Sequence, residues 1–260
     1  MKFNYTKVLE GAQLLKGKTA LITGASRGIG KACASLFGHQ GAHVLLVARG
    51  KVDLERSFSE LQAKGYTTTY FLADVSDPTD IDRLVTQISE TVANLDVLIN
   101  NAGGGMSTAV SSISWDEWQN VLSSNLSSSF LLAQKSLPLM MPGSSIINVS
   151  SQAGRSISVS AGCHYTASKA GLLGLTRHLA RELAPKEIRV NAVCPGVTET
   201  ERILKRLEEK GTKADVEAQI PLGRIGTADE VAACCLFLAS ELASYVTGIS
   251  LDVNGGALMM

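Results

Sequence analysis

The sequence predicts one α/β domain built on a parallel sheet of seven strands, with helices covering both faces. Two observations indicate this fold. Short apolar runs rich in Val, Ile, Leu or Thr recur along the chain and alternate with longer segments of helix length. No linker, repeat or low-complexity block divides the 260 residues, and a chain of that length can bury one large core. Alternation of this kind favours βαβ crossovers, and therefore a doubly wound sheet.

The predicted elements follow one another along the whole chain, so we treat residues 1–260 as a single domain with an N-terminal extension at residues 1–15. The seven predicted strands lie at residues 19–24, 43–48, 68–74, 96–101, 145–150, 188–194 and 249–253. Segments of helix length lie between them, among others at residues 28–40, 78–93, 115–137, 164–184 and 227–240.

Composition argues against several classes of partner. Lys plus Arg and Asp plus Glu both number 24, so no basic field favours nucleic acid. The five cysteines include no CxxC pair and no histidine cluster lies near them, so neither zinc nor disulfides are expected. No run reaches the roughly 18 apolar residues of a membrane span, and the first residues lack a targeting pattern. We therefore expect a cytoplasmic protein with no metal, membrane or nucleic-acid partner.

A glycine-rich segment, TGASRGIG at residues 23–30, follows the first predicted strand and precedes the first predicted helix. Ligands of open parallel sheets bind beyond the carboxyl ends of the strands. Glycines there permit a tight turn and let the backbone approach a pyrophosphate, which lies at the positive N-terminus of the helix. The turn therefore predicts a dinucleotide site of the Rossmann type. Its predicted cofactor contacts are Gly24, Ser26, Arg27, Gly28, Ile29 and Gly30.

The end of the second predicted strand indicates which dinucleotide binds. Enzymes that prefer NAD place an acidic residue there for the ribose 2′-hydroxyl, and a carboxylate would repel a 2′-phosphate. This chain has Ala48 at that point, followed by Arg49, and Arg27 lies in the glycine-rich turn on the same side. Guanidinium groups suit phosphate because their planar donor fork binds it bidentately. The predicted cofactor is NADP(H).

A tyrosine and a lysine stand four residues apart in CHYTASKAG, residues 163–171. On a helix this spacing puts Tyr165 and Lys169 on one face. A cation within about 4 to 6 Å lowers the pKa of a phenol, so such a pair can transfer protons. Cys163 and His164 flank the tyrosine, but adjacent helix residues point in different directions. We expect those two residues to pack or to line a pocket.

In this order, the motifs resemble the short-chain dehydrogenase/reductase family, from about Lys16 to the C-terminus. Within that family the chain is similar to 3-oxoacyl-carrier-protein reductases and to tropinone-reductase-like carbonyl reductases. The matching segments are TGASRGIG, Asp74–Val75, NNAG at 100–103, Asn125, SSQAG, YTASK, PGVTET, PLGRIG and YVTGISLDVNGG.

The resemblance implies catalytic roles for four residues. Tyr165 would transfer the proton, and Ser151 would hydrogen-bond the substrate oxygen. Lys169 would lower the pKa of Tyr165 and hold the nicotinamide ribose, while Asn125 would hold a water in a proton relay. Ser151 stands 14 residues before Tyr165, one more than is usual in the family, so Ser150 is the alternative serine.

The resemblance also implies further cofactor contacts. Asp74 and Val75 would contact the adenine, and Tyr165 and Lys169 would touch the cofactor as well as the substrate. The remaining predicted contacts are Asn101, Ala102 and Gly103 on the cofactor floor, and Pro195, Gly196, Thr198 and Thr200 near the carboxamide. Asn100 is expected to tie adjacent strand ends.

Three functions remain open from the sequence. The favoured one is NADPH-dependent hydride transfer to a small ketone or aldehyde, or the reverse oxidation of a secondary alcohol, with residues 199–220 as a substrate lid. The second is a 3-oxoacyl-carrier-protein reductase. Arg177 and Arg181 offer half of a basic docking surface, but KSLPLMMPGS has Met140 and Met141 where the other basic half is expected.

The third function is a noncatalytic NADP-binding scaffold, which would not need the Asn, Ser, Tyr and Lys set. The family resemblance implies a homotetramer with helices 115–137 and 164–184 at the interface.

Overall fold

The computed structural model describes residues 9–158 and 160–260. The strands in these residues are Thr19–Thr23 (β1), His43–Ala48 (β2), Thr68–Leu72 (β3), Val97–Asn100 (β4), Ser145–Val149 (β5), Arg189–Pro195 (β6), Thr198–Glu199 (β7), Gly226–Thr227 (β8) and Ser250–Val253 (β9). Seven of them form one sheet in the order β3-β2-β1-β4-β5-β6-β9, with every pair parallel. The predicted fold class is confirmed. The short strands β7 and β8 pair with each other apart from this sheet.

Six of the helices in the described residues form two layers, one on each face of the sheet. The helices in this part of the chain are Gly28–His39 (α1), Lys51–Ala63 (α2), Pro78–Thr91 (α3), Trp115–Leu122 (α4), Ser128–Ser136 (α5), Cys163–Leu183 (α6), Glu201–Lys210 (α7), Lys213–Ala218 (α8) and Ala228–Ala239 (α9). Helices α1, α2 and α9 pack on one face. Helices α3, α5 and α6 pack on the other.

Strand β1 shows why the sequences of these strands are continuously apolar. Ala20 and Ile22 point into the first core cluster, and Leu21 between them points into the second. All three side chains are fully buried, because a parallel sheet is covered on both faces. The alternation of side chains therefore appears in the packing and not in the polarity of the sequence.

Two predicted elements differ from the structure. The helix predicted at 115–137 is divided by a π-helical turn at Ser123–Ser127, between α4 and α5. Part of the predicted N-terminal extension belongs to the core: Leu15 is 1% exposed, and its N–H donates to the Gln40 carbonyl at 3.0 Å. Residues 1–8 of that extension lie outside the described residues.

Among the described residues, no helix has both the length and the hydropathy needed to span a membrane.

The strand order places a crevice at the carboxyl ends of β1 and β4. From β1 the chain builds outward through β2 and β3, and it then returns to the other side of β1 with β4. Ligands of such sheets bind at this change of direction. The predicted site residues follow the carboxyl ends of successive strands: Gly24, Arg49, Asp74, Asn101, Ser151 and Gly196.

Candidate active site

The glycine-rich turn has the backbone geometry that a pyrophosphate requires. Gly28 begins α1 with a φ of +57°, a left-handed conformation that side chains disfavour. A Cβ at Gly30 would collide with the Gly24 carbonyl oxygen, so only glycine allows this close packing. Arg27 precedes the helix and its side chain does not cap it, which leaves the first N–H groups of α1 to an anion. These residues fit a dinucleotide phosphate. Ser26 and Ile29 are half-buried in the same turn.

The predicted adenosine side of the site carries a cation and a carboxylate. The Arg49 Nη1 lies 3.5 Å from Asp74 Oδ2, and the arginine side chain is 80% exposed. Asp74 also accepts hydrogen bonds from the Ser76 N–H at 3.0 Å and the Ser76 hydroxyl at 2.7 Å. Burial opposes ionisation of Asp74, but the hydrogen bonds from Ser76 and the charge of Arg49 hold its pKa below the usual range. Val75 beside it is buried.

At the end of β4, Asn101 fixes the turn to β1. Its side-chain amide donates to the Thr23 carbonyl at 2.8 Å and to the Gly24 carbonyl at 3.3 Å. The Thr23 hydroxyl accepts from the N–H groups of Asn101 and Ala102, both at 3.0 Å. The side chain of Asn101 is thus engaged by the protein, which leaves the backbone of this segment to line the crevice.

Asn100 has the structural role predicted for it. Its amide donates to Asn148 Oδ1 at 2.9 Å, and Asn148 in turn donates to the Thr176 hydroxyl at 2.9 Å. This chain of buried hydrogen bonds ties β4 to β5 and to α6, the helix that carries the tyrosine.

The π turn directs Asn125 into the loop after β4. The Asn125 side-chain amide donates to the Gly104 carbonyl at 2.9 Å and to the Val121 carbonyl at 2.8 Å, and its Oδ1 accepts from the Gly104 N–H at 3.1 Å. A Cβ at Gly103 would collide with that Oδ1. Asn125 therefore clamps the 103–104 backbone against α4. Its role in a water relay stays a prediction.

Ser151, Tyr165 and Lys169 come together where β5 meets α6. The side chain of Ser151 lies close enough to Tyr165 to lower the pKa of the tyrosine hydroxyl. The Lys169 Nζ lies 5.8 Å from the centre of the tyrosine ring and donates to the Val149 carbonyl at 2.8 Å. The alternative serine, Ser150, is buried and its hydroxyl donates to the Lys169 carbonyl at 3.0 Å. The geometry therefore favours Ser151 as the serine that faces the tyrosine.

The pKa of Tyr165 is shifted in the direction opposite to the one predicted from the sequence. Burial raises the pKa of Tyr165 above its ordinary value, although the hydrogen bond with Ser151 and the positive charge of Arg202 act in the opposite direction. The effect of Lys169 on the pKa of Tyr165 stays a prediction. The lysine is itself buried, which lowers its own pKa to about 8, and its ammonium is directed at a backbone carbonyl.

The residues beside Tyr165 pack as predicted. His164 is fully buried, and its Nε2 lies 2.9 Å from Glu117 Oε1 on α4. Cys163 is exposed and lines a shallow apolar cavity with Trp115 and Trp118. The two side chains do not form a nucleophile pair. Within residues 9–158 and 160–260, no group of three His, Cys, Asp or Glu side chains is placed to hold a metal ion.

The loop after β6 brings the start of the lid to the glycine-rich turn. Gly196 follows Pro195, the last residue of β6, and its carbonyl accepts from the buried Thr198 hydroxyl at 3.1 Å. The Thr200 Cγ2 lies 3.1 Å from where a Cβ at Gly28 would stand. Residues 199–220, predicted as a lid, contain α7 and α8 and pack on a small apolar cluster of their own around Leu207, Ile220 and Ile225.

One residue near the tyrosine was not predicted from the sequence. Arg202 on α7 lies against Gly104, and its charge acts on Tyr165. The available signal was the run of three glycines at 103–105, because side chains are absent there where another group approaches the backbone.

A Ser–Tyr–Lys group at the carboxyl end of β5, beside the switch point of the sheet, is typical of one class of protein, the oxidoreductases that use a nicotinamide cofactor. A family model described as enoyl-(acyl carrier protein) reductase matches residues 24–257. The chain belongs to the short-chain dehydrogenase/reductase family.

Similar sequences carry two kinds of name. The chain is 38% identical over 247 residues to the 3-oxoacyl-[acyl-carrier-protein] reductase FabG of Salmonella typhimurium. The matched region covers 94% of this chain and 99% of the relative. The chain is also 38% identical over 252 residues to an uncharacterized short-chain type dehydrogenase/reductase of Sinorhizobium fredii, covering 95% and 99%.

Solved structures agree with the fold. A 3-oxoacyl-[acyl-carrier protein] reductase from Brucella melitensis superposes with a TM-score of 0.91 at 34% identity, covering 100% of this chain and 98% of that one. A short-chain type dehydrogenase/reductase from Mycobacterium marinum gives a TM-score of 0.88 at 34% identity, covering 95% and 97%.

Proposed function

We propose that this oxidoreductase reduces the carbonyl group of a small ketone or aldehyde with NADPH, or oxidises the corresponding secondary alcohol, with Tyr165 as the acid and base. The proximity of Ser151 and of the buried Lys169 to Tyr165 carries this proposal. In this proposal both hydroxyls donate to one carbonyl oxygen, because hydroxyl donors stabilise the negative charge that develops there.

Tyr165, Ser151 and Asn125 have separate roles in the proposed reduction. Tyr165 donates its proton to the substrate oxygen, because a tyrosine hydroxyl is protonated at neutral pH. Ser151 donates a hydrogen bond to the same oxygen and orients it. A bound nicotinamide supplies the hydride for reduction and accepts it in the reverse reaction. Asn125 keeps the 103–104 backbone in place through its three hydrogen bonds to Gly104 and Val121.

The residues proposed to hold the dinucleotide follow the carboxyl ends of the strands. The glycine-rich turn and the first N–H groups of α1 would hold the pyrophosphate. Lys169 would hold the nicotinamide ribose, and the loop from Pro195 to Thr200 would line the carboxamide side.

The cofactor is proposed to be NADP(H) because of the charges at the end of β2. Ala48 is buried and offers no carboxylate to repel a 2′-phosphate. Arg49 is 80% exposed and held to Asp74 only by a 3.5 Å contact, so its guanidinium is able to turn toward a phosphate. Arg27 is exposed at the start of α1 and adds a second positive charge.

A second candidate function is the reduction of a 3-oxoacyl group on a carrier protein. It is favoured by the 38% identity to a protein of that name, and by Arg177 and Arg181, which are exposed on α6. Against it, Met140 is buried and Met141 is exposed at the position where a second basic group is expected. An acidic carrier would therefore find only half of a basic surface.

Replacement of Tyr165 by Phe tests the proposed chemistry. Tyr165→Phe should lower kcat/KM for a panel of ketones, aldehydes and secondary alcohols by about 100-fold or more, because general acid catalysis typically supplies about 10² to 10⁴ in rate. Turnover is followed by NADPH absorbance, and cofactor binding by NADPH fluorescence.

The matched control is Tyr245→Phe, which removes a hydroxyl from a fully exposed side chain and should change neither quantity. Retention of more than about a tenth of the activity by Tyr165→Phe would contradict the acid–base assignment. NADPH binding without turnover of any panel member by the unmodified chain would instead favour the scaffold function.

A further inference from the structure

Arg202 presents a guanidinium group to the loop after β4. It is the second residue of α7, and a Cβ at Gly104 would stand 2.9 Å from its Nη1 and 3.7 Å from its Nη2. The arginine therefore lies against the Gly104 backbone, at a point where any larger residue would displace it. The loop there is held by Asn125, which exchanges hydrogen bonds with both the N–H and the carbonyl of Gly104.

The next residue of the same loop contacts Tyr165. A Cβ at Gly105 would stand 2.7 Å from the tyrosine Cγ and 2.8 Å from its Cδ2. Adjacent Cα atoms are about 3.8 Å apart, so the guanidinium and the phenol border neighbouring positions of one glycine strip. The charge of Arg202 accordingly acts on the tyrosine hydroxyl.

The positive charge of Arg202 is not compensated on its own helix. The residues three and four positions on are Lys205 and Arg206, and Glu199, three positions before Arg202, precedes the helix. Within the helix, therefore, no carboxylate stands at the spacing where helix neighbours pair. Lys205 and Lys213 in the lid lie 4.0 and 3.9 Å from Glu209 and Glu217. In the described part of the chain, Arg202 has no hydrogen bond or ion pair of this kind.

A neutral carbonyl substrate would leave this guanidinium without a partner, whereas a carboxylate would match its donor fork. We propose that Arg202 determines substrate specificity by binding the carboxylate of an oxo acid, with the carbonyl one or two carbons away and directed at Ser151 and Tyr165. The proposal rests on the proposed carbonyl chemistry and narrows its substrate class to short 2- and 3-oxo acids.

The test compares each acid with its neutral ester. The probes are 3-oxobutanoate and its methyl ester, and 2-oxopropanoate and its methyl ester, each with NADPH. The unmodified enzyme should prefer an acid to its ester. In Arg202→Met, the acid-to-ester ratio of kcat/KM should fall about tenfold or more, mainly through KM of the acid, because a charge-assisted hydrogen-bond pair is lost. Arg202→Lys should lie in between, since it keeps the charge without the fork.

Lys205→Met is the matched control, because it removes a positive charge from an exposed position of the same helix. It should leave the ratio unchanged, and an equal fall would mean that general lid charge, not Arg202, sets the preference. An equal loss for acid and ester in Arg202→Met would also overturn the proposal, as would a matching loss of NADPH affinity, which would make Arg202 a cofactor contact.

Failure of this proposal is distinguishable from failure of the carbonyl chemistry. Turnover of the esters or of neutral ketones without any preference for the acids would overturn the role of Arg202 alone. Absence of turnover with every carbonyl compound would overturn both.

Discussion

At the residue scale, the cofactor preference depends on two adjacent positions at the end of β2. Arg49→Ala should weaken NADPH binding about tenfold or more and leave NADH binding nearly unchanged, because charge-assisted hydrogen bonds to the 2′-phosphate would be lost. Ala48→Asp should shift the preference toward NADH, since a carboxylate there accepts from the ribose 2′-hydroxyl and repels the phosphate. Fluorescence titration with both cofactors measures the effect.

The control for Arg49 lies on the next helix. Arg56 is 64% exposed and pairs with Asp53 at 3.3 Å, so Arg56→Ala removes a similar charge away from the crevice and should not discriminate between the cofactors. Comparable kcat/KM of the unmodified enzyme with NADH and NADPH would refute the assignment of NADP(H).

The serine shows what the sequence could settle at this scale and what it could not. Ser150 and Ser151 are adjacent and chemically identical, and the extra residue before Tyr165 removes the usual spacing as a guide. Only burial and hydrogen bonding separate them, because Ser150 is tied to the Lys169 carbonyl while Ser151 meets Tyr165. The contact of Arg202 with Gly104 was equally out of reach, since residues about a hundred positions apart carry no local pattern.

At the element scale, helix α9 begins with a charged cap. The Thr227 hydroxyl accepts from the Glu230 N–H at 3.3 Å, and Glu230 Oε2 accepts from the Thr227 N–H at 2.8 Å. Arg224 donates to both carboxylate oxygens of Glu230, at 2.9 and 2.5 Å. The hydrogen bonds from Arg224 outweigh the effect of burial and lower the pKa of Glu230 to about 2.

This cap should stabilise the fold in a pH-dependent way. A carboxyl whose folded-state pKa lies below its ordinary value of 4.5 stabilises the protein above that pH, and the contribution is lost as the pH falls toward 2. Glu230→Gln should therefore lower the free energy of unfolding by about 2 kcal/mol at neutral pH, after allowance for solvent around the pair.

Urea denaturation of both proteins near pH 7 and pH 3 measures this difference, which should shrink at the lower pH. Glu90→Gln, at an exposed position of α3, is the control and should have little effect at either pH. A cost for Glu230→Gln that does not change with pH would show that the cap acts without its charge.

Strands with a strong apolar pattern could be predicted from the sequence, but the π turn within the predicted helix and the pairing of β7 with β8 could not. The seven strands of the main sheet were predicted to within two residues at their ends, because each is a buried run of apolar residues bounded by polar or glycine-rich turns. The π turn at Ser123–Ser127 could not be predicted, because it depends on the bonds of Asn125 to Val121 and to the distant Gly104. The pairing of β7 with β8 also joins segments that are separated by the lid.

At the scale of the whole molecule, charge decides between a free and a carrier-bound substrate. The formal net charge is zero, and Arg177 and Arg181 form only one half of a basic docking surface. A 3-oxoacyl thioester of N-acetylcysteamine should therefore be reduced with a kcat/KM within about tenfold of that for the same acyl group on acyl carrier protein, because electrostatic steering would be weak.

The salt dependence and one added charge sharpen this comparison. The ratio of kcat/KM for the carrier-bound substrate to kcat/KM for the thioester should change little with ionic strength. Met141→Arg should raise this ratio. A strong preference for the carrier that collapses at high salt, and that is lost in Arg177→Ala, would make the carrier-protein reductase the correct function.

The buried ammonium of Lys169 has a consequence for the energetics of the entire fold. The fall of its pKa from 10.5 to about 8 corresponds to about 3 kcal/mol. The unfolded chain holds this proton more tightly than the folded one, so at neutral pH the charge favours unfolding, and the penalty disappears only as the pH rises from about 8 toward 10.5. A typical domain is stable by about 5 to 15 kcal/mol. Burial of this one cation therefore lowers the free energy of unfolding by a substantial fraction of its total, because water cannot hydrate the ammonium group there.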